Sequence, residues 1–244
     1  AFYYSVRGPR RDERPPDVGP NSNWWGDYKT FADYCRRMSW LNTDSQHVCH
    51  VAILGEANHL PWAAAKVCYQ NQRDFNYLEM RHLWEDAEVA ADGIRIAGMH
   101  YQVLIVDGIE QTPPLARAAL ELLARAGRVI LWDGTRLSLQ GAIMASTPQE
   151  LITAIDRLTP PDLTITPPQQ DVRYRHILKG GEHFYILANE GIRVATATLH
   201  IAARGRMSWV DPFRGAETAI GASEAVLPLT LPPYTVMVLR IAPV

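Results

Sequence analysis

The chain has 244 residues and carries 24 basic and 26 acidic side chains, which gives a net charge of −2. This near-neutral balance gives no electrostatic reason to expect nucleic acid or an anionic membrane surface as a partner. No apolar run approaches the roughly 20 residues that a membrane-spanning helix needs. The three cysteines lie in apolar or helical contexts without metal-ligand spacing, which predicts buried thiols.

The chain opens on an aromatic, strand-like segment at residues 1–5, followed by a polar loop rich in Pro and Gly at residues 7–23. Because position 1 already lies in a strand-like pattern, we expect the chain to begin inside a longer protein. The loop is longer than ordinary connections, which favours either a function or a linker. It ends at Trp24 and Trp25. These rings either form a stacking wall in a sugar subsite or fasten the loop to the next helix.

An alternation of helices and apolar strands follows the loop. Helices are predicted at residues 27–42, 61–72, 83–91 and 113–126, and buried strands at residues 48–55, 75–78, 101–106 and 128–132. A small β excursion is predicted at residues 93–99. Continuous apolar strands that alternate with helices indicate a parallel sheet covered on both faces. The first helix, at residues 27–42, is expected to pack on the flank of this sheet.

Carboxylates follow three of the predicted strands. Glu56, Asp107 and Asp133 each come just after a strand, and ligands of open parallel sheets lie outside those strand ends. These residues are low-ranked candidates for a catalytic acid and base. The alternative is that Asp107 and Asp133 cap helices or shape turns, which is common chemistry for Asp next to Gly or before a helix.

The pattern changes after residue 141. One more helix, at residues 147–158, begins with Thr147 as its N-cap, and Glu150 completes a capping box. A Pro-rich stretch at residues 159–168 marks a domain boundary. From Asp171 onward about six short alternating strands predict an antiparallel β-sandwich.

Several common chemistries lack their motifs in this sequence. It contains no dinucleotide-binding or P-loop glycine pattern and no nucleophile elbow, and its cysteines do not sit at strand-to-helix turns. The histidines show no zinc-hydrolase spacing. We therefore predict neither a cofactor nor a metal site.

Segments along nearly the whole chain resemble the C-terminal half of the large bacterial α-L-rhamnosidase-like glycoside hydrolases. The most specific segment contains the paired tryptophans. The matching segments are FYYSVRGPRRDERPPDVGPNSNWW, DYKTFADYCRRMSWL, HVCHVAIL, DFNYLE, YQVLIVDG, FYILANE, WVDPFRG and LPLTLPPYTVMVLRI.

The resemblance implies an order of modules. Residues 1–28 would be the end of an upstream catalytic (β/α)-barrel and its loop, residues 29–166 a flavodoxin- or amidotransferase-like α/β domain, and residues 167–244 a β-sandwich. The main catalytic carboxylates would lie in the barrel, before residue 1. Supporting residues would then bind substrate at the rim and wall of the sugar site, namely Arg7, Arg10, Glu13, Asp17, Trp24 and Trp25.

Three hypotheses follow. In the first, the chain is the C-terminal part of a glycoside hydrolase acting on plant or microbial glycans, and its partners are the carbohydrate and the upstream barrel. In the second, it is an autonomous carbohydrate-binding or interaction module. The third keeps catalysis at the sheet edge. A homo-oligomer is compatible with an exposed edge strand, and a signal peptide on the full-length protein would place it in the bacterial periplasm or outside the cell.

Overall fold

The structure is a computed structural model that describes residues 23–222 and 226–243. Its helices are a short 3-10 helix (Trp25–Asp27), α1 (Tyr28–Asn42), α2 (Ala63–Gln70), α3 (His82–Glu85), α4 (Pro114–Arg125) and α5 (Pro148–Leu158). Its strands are β1 (Gln46–His47), β2 (Val51–Gly55), β3 (Asn76–Glu79), β4 (Glu88–Ala90), β5 (Gly93–Ile96), β6 (Met99–Tyr101), β7 (Val103–Val106), β8 (Val129–Trp132), β9 (Ile143–Ala145), β10 (Leu163–Thr166), β11 (Val172–Lys179), β12 (Glu182–Asn189), β13 (Ala195–Ile201), β14 (Arg206–Asp211), β15 (Ala216–Ala222), β16 (Val226–Leu231) and β17 (Val236–Ala242).

Five strands form a parallel sheet in the order β3-β2-β7-β8-β9. Strand β2 is buried along its whole length, as a strand covered on both faces must be. Its Ala52 and Leu54 pack toward α4, while Val51 and Ile53 pack toward α2 and α5. The predicted α/β sheet with helices on both faces is therefore confirmed.

Two antiparallel sheets follow. One has six strands in the order β1-β11-β12-β17-β14-β15, and the other has three in the order β10-β13-β16. Apolar side chains from both sheets share one core, which includes Leu163, Tyr185 and Leu239. An antiparallel, β-rich part after the α/β part is thus also confirmed.

Helix α1 differs from its predicted position. Instead of flanking the parallel sheet, it packs on the six-stranded sheet, where Leu41 and Met38 join Phe184, Ile186 and Val238 in a separate apolar cluster. The part of the outer sheet face that carries Phe184, Ile186 and Val238 is apolar, so it needs a cover, which Met38 and Leu41 of α1 provide. Sequence neighbourhood with β2 was therefore a poor guide to its packing.

Other differences concern short elements. The helix predicted at residues 83–91 ends at Glu85 and gives way to β4, which joins β5 and β6 in a small antiparallel sheet. Strands β9, β10 and β15 were not predicted. Within the residues the structure describes, no helix is long and apolar enough to cross a bilayer.

Candidate functional site

The three predicted carboxylates lie at one edge of the parallel sheet. Strands β2, β7 and β8 run parallel, with Ile53 paired to Ile105 on the central pair. Glu56, Asp107 and Asp133 directly follow the carboxyl ends of these strands. The backbone therefore brings them to a common edge, while their catalytic role stays a prediction.

Asp107 already has a structural partner at this edge. It is buried, and its Oδ2 accepts a hydrogen bond of 2.8 Å from the backbone N–H of Ala64. Ala64 lies in the first turn of α2, where Trp62 at the N-cap position provides no side-chain cap. Asp107 thus caps a helix from a neighbouring strand, which is the turn-and-cap role weighed above.

Glu56 and Asp133 are exposed instead. The backbone of Glu56 closes a tight loop with His59 through two hydrogen bonds of 2.9 and 3.1 Å. Among the described residues, neither carboxylate forms a side-chain hydrogen bond or an ion pair. The edge therefore offers two free carboxylates but no positioned acid and base.

The paired tryptophans form an aromatic cluster at the start of α1. The Trp25 ring stacks on Tyr28 with centroids 5.0 Å apart, and the Trp24 ring lies tilted 5.9 Å from the same tyrosine. Trp25 remains 41% exposed, so part of this side chain is open to solvent. Both interpretations of the pair are compatible with this geometry. The other predicted rim residues, Arg7, Arg10, Glu13 and Asp17, lie outside the described residues.

A concavity between α1 and the six-stranded sheet was not predicted. We call it the α1 groove, since it runs between α1 and the outer face of the six-stranded sheet and encloses about 670 Å³. This volume falls within the roughly 300–1,000 Å³ of small-molecule sites. It is lined by Arg36, Arg37, Trp40, Leu41, Glu182, Phe184, Val210, Pro212, Gly215, Glu217, Val238 and Arg240.

An ion-pair network forms the sheet wall of the α1 groove. The Arg240 guanidinium contacts both oxygens of Glu182 at 2.7 Å and Glu217 at 3.1 Å, and Ser208 donates a hydrogen bond of 2.5 Å to Glu217. The bond from Arg240 lowers the pKa of Glu182, and the bonds from Ser208 and then Arg240 lower the pKa of Glu217. The wall therefore presents fixed carboxylate oxygens that can accept further hydrogen bonds.

The helix wall of the α1 groove carries a cation and an indole one turn apart. Arg37 Nη1 donates to the carbonyls of Pro212 and Phe213 at 3.0 and 3.1 Å. Its guanidinium lies against Gly215, where an added Cβ would come within 2.8 Å of it. Trp40 is 57% exposed. Its ring lies nearly perpendicular to that of Phe184, with the two ring centroids 6.2 Å apart.

A buried polar chain lies apart from both places. His176 is 3% exposed, hydrogen-bonds Asp162 through Nδ1, and places Nε2 2.8 Å from Nδ1 of His183. Tyr185 stacks on the His176 ring at 4.1 Å. One exposed group on α3, formed by His82, Glu85 and Asp86, brings its ligand atoms within 4.8 Å of one another and could hold a metal ion. Its histidine is already hydrogen-bonded to Asp86.

Comparison with known proteins places the fold. No protein-family model and no curated protein matches the chain. A rhamnosidase from Novosphingobium sp. PP1Y superposes with a TM-score of 0.70 at 16% identity, over 92% of this chain and 25% of that one. The β-galactosidase from Bacillus circulans sp. alkalophilus gives a TM-score of 0.60 at 11% identity, over 92% of this chain and 46% of the other.

A GH42 β-galactosidase from G. stearothermophilus gives a TM-score of 0.61 at 10% identity, over 98% of this chain and 47% of the other. Glycoside hydrolases contain this fold. At such low identities the likeness concerns the fold alone. The chain also spans less than half the length of each of these three proteins.

Proposed function

We propose that the chain is the C-terminal part of an α-L-rhamnosidase-like glycoside hydrolase and supports its sugar site, with the main catalytic carboxylates upstream of residue 1. The observation that carries this proposal is the shared fold with a rhamnosidase over 92% of the chain. It agrees with the sheet edge, where the buried Asp107 caps a helix and no acid and base are held together.

Under this proposal the loop residues reach the substrate. Arg7, Arg10, Glu13 and Asp17 would bind sugar hydroxyls at the rim, and the partly exposed Trp25, beside Trp24, would stack on a pyranose ring. The α/β domain, at residues 29–166, would be flavodoxin-like. In support, its strands follow the order 2-1-3-4-5 when numbered along the chain, which is the flavodoxin-like order. The two antiparallel sheets would form the β-sandwich module.

A direct test uses a panel of nitrophenyl glycosides that includes the α-L-rhamnoside. We expect no turnover by this chain alone, and turnover by a longer product of the same reading frame. In that longer product Trp25→Ala should raise KM, while Trp84→Ala on α3 should not. Turnover by this chain that is lost in Glu56→Gln, Asp107→Asn or Asp133→Asn, with thermal unfolding unchanged, would overturn the proposal and place catalysis at the sheet edge.

The α1 groove favours a second candidate, an autonomous carbohydrate-binding module. An exposed indole beside hydrogen-bonding charged groups is the combination that sugar sites use, because the ring faces of sugars are apolar and their edges are polar. Binding of oligosaccharides by this chain without turnover would support this candidate.

A further inference from the structure

We propose that the α1 groove binds an acidic saccharide, in which Trp40 stacks on a sugar ring and Arg37 pairs with a uronate carboxylate. This inference rests on the carbohydrate-binding function proposed above and adds the charge class of its ligand. It is carried by how the charges are distributed between the two walls of the groove.

The charges on the sheet wall are mutually satisfied. Arg240 holds Glu182 in a two-point ion pair and also contacts Glu217, so two carboxylates already balance the charge of this guanidinium. The carboxylate oxygens of Glu182 and Glu217 still have lone pairs that can accept sugar hydroxyls. This wall therefore suits the polar edge of a sugar and repels a carboxylate.

The helix wall has the opposite character. Arg37 has no carboxylate partner among the described residues, and only its Nη1 has an acceptor there, namely the carbonyls of Pro212 and Phe213. These carbonyls and the close surface of Gly215 fix the guanidinium plane. Nε and Nη2 form the edge that binds a carboxylate through two parallel hydrogen bonds, and a fixed plane lowers the entropy cost of doing so.

Trp40 extends this cationic wall. It follows Arg37 by three positions on α1, so the two side chains are neighbours on the helix surface. The Lys179 ammonium lies 4.8 Å from the centroid of the Trp40 ring and also hydrogen-bonds the carbonyl of Thr43. The charged side chains next to Trp40, Arg37 along the helix and Lys179 over the ring, are therefore both cations. This arrangement favours a sugar that carries negative charge over a neutral one.

Two ligands that differ only in charge test the inference. One is a short oligogalacturonate, and the other is the same oligosaccharide after reduction of its carboxylates to alcohols. Isothermal titration of this chain should show at least about tenfold tighter binding of the acidic form, since one charge-assisted pair contributes about 1.5 kcal/mol or more.

Variants assign the two contacts. Trp40→Ala should weaken binding of both oligosaccharides, whereas Arg37→Met should remove most of the affinity advantage of the acidic form and leave the affinity of the reduced form unchanged. Trp84→Ala and Arg193→Met are matched controls, since both side chains lie outside the groove, and neither should change either affinity. Thermal unfolding of each variant checks that the fold is intact.

The other outcomes are separable. Equal binding of both oligosaccharides, or acidic binding that survives Arg37→Met, overturns the acidic preference but keeps the carbohydrate-binding function. Binding of neither oligosaccharide overturns both. A polyglutamate peptide that binds as tightly as the oligogalacturonate and competes with it would show a general anion site and overturn the saccharide assignment.

Discussion

Asp107 illustrates how one carboxylate can stabilise a helix that lies elsewhere in the sequence. Helix α2 begins without a side-chain cap of its own, and the buried Asp107 carboxylate accepts the free N–H of Ala64 across the gap from β7 to α2. A buried backbone N–H without an acceptor costs free energy, and an anion near a helix N-terminus is also favourable. One of the three carboxylates that follow the strands thus has a structural role in the fold.

Replacement of this carboxylate should therefore weaken the fold. We expect Asp107→Ala to lower the free energy of unfolding by about 1–2 kcal/mol in urea denaturation, because the Ala64 N–H loses its acceptor. Asp133→Ala is the matched control, since Asp133 is exposed and has no side-chain partner among the described residues, and it should change the value by less than about 0.5 kcal/mol. Equal effects of the two substitutions would contradict the capping role.

His183 makes stability depend on pH. Burial and, secondarily, the charge of His176 lower its pKa below the ordinary value of 6.5. At pH values between the lowered pKa of His183 in the folded chain and its ordinary pKa of 6.5, the unfolded chain binds a proton that the folded chain does not. The free energy of unfolding therefore falls as the pH drops below about 6.5. We expect the free energy of unfolding, measured in urea at several pH values from 7.5 to 5, to decline less steeply for His183→Gln than for the wild type. His59→Gln, an exposed histidine, should follow the wild-type curve.

Helix α5 is an example of an element that the sequence predicts from local signals. The Thr147 side chain accepts a hydrogen bond of 3.2 Å from the backbone N–H of Glu150, and the Glu150 carboxylate accepts one of 3.3 Å from the backbone N–H of Thr147. The sequence Thr-Pro-x-Glu at the start of α5 predicts this capping box. The buried strands β2, β7 and β8 were equally recognisable from their apolar runs. Signals of this kind are local, so one sequence suffices to read them.

Removal of this cap gives an element-scale prediction. We expect Thr147→Ala to lower the free energy of unfolding by about 1 kcal/mol, since an N-terminal N–H of α5 loses its acceptor. The melting temperature should fall accordingly. Thr153→Ala, further along the same helix and exposed, makes the same chemical change without a cap and should cost much less. Both can be measured by calorimetry and urea denaturation. A cost for Thr153→Ala as large as that for Thr147→Ala would argue against the capping box.

The packing of α1 shows what local signals cannot give. A helical pattern predicts that a helix has an apolar side, but it does not say which surface that side covers. A hint existed in β12, where Phe184, Tyr185, Ile186 and Leu187 are all buried, because an apolar run there requires cover on both sheet faces. The α1 groove could not be predicted from local sequence patterns either, because its walls come from residues far apart in the sequence. Strand β9 was missed because it has only three residues, and β10 was missed because it lies within the Pro-rich stretch at residues 159–168.

At the scale of the whole molecule, the parallel and antiparallel parts are joined by buried polar contacts. Gln72 lies just after α2 and is 2% exposed. Its side-chain amide Nε2 donates hydrogen bonds to the backbone carbonyls of Gln169, before β11, and of Val172, the first residue of β11. The side-chain oxygen Oε1 accepts a hydrogen bond from the backbone N–H of Gln169. The parts are therefore coupled by groups that lose their partners if they separate.

Loss of the Gln72 bridge should reduce this coupling. We expect Gln72→Ala to lower the free energy of unfolding by about 1–3 kcal/mol, because buried carbonyls near β11 lose their donors. Urea unfolding followed by far-UV circular dichroism and by tryptophan fluorescence should coincide for the wild type and separate for the variant. Gln70→Ala, at the last position of α2 and without such side-chain hydrogen bonds, should behave as the wild type does. Coincident curves and an unchanged midpoint in Gln72→Ala would rule out this coupling.

The course of the chain through these two parts has a consequence for how the protein is made. Helix α1 and strand β1 belong with the six-stranded sheet, yet the chain then builds the whole parallel sheet before it returns at β10 and β11. On a ribosome, α1 therefore emerges long before the strands that will cover its apolar stripe. The parallel sheet can fold in the meantime, since all its strands lie in the intervening stretch. During that interval a nascent chain displays exposed Leu41 and Met38, which is the kind of surface that holding chaperones recognise.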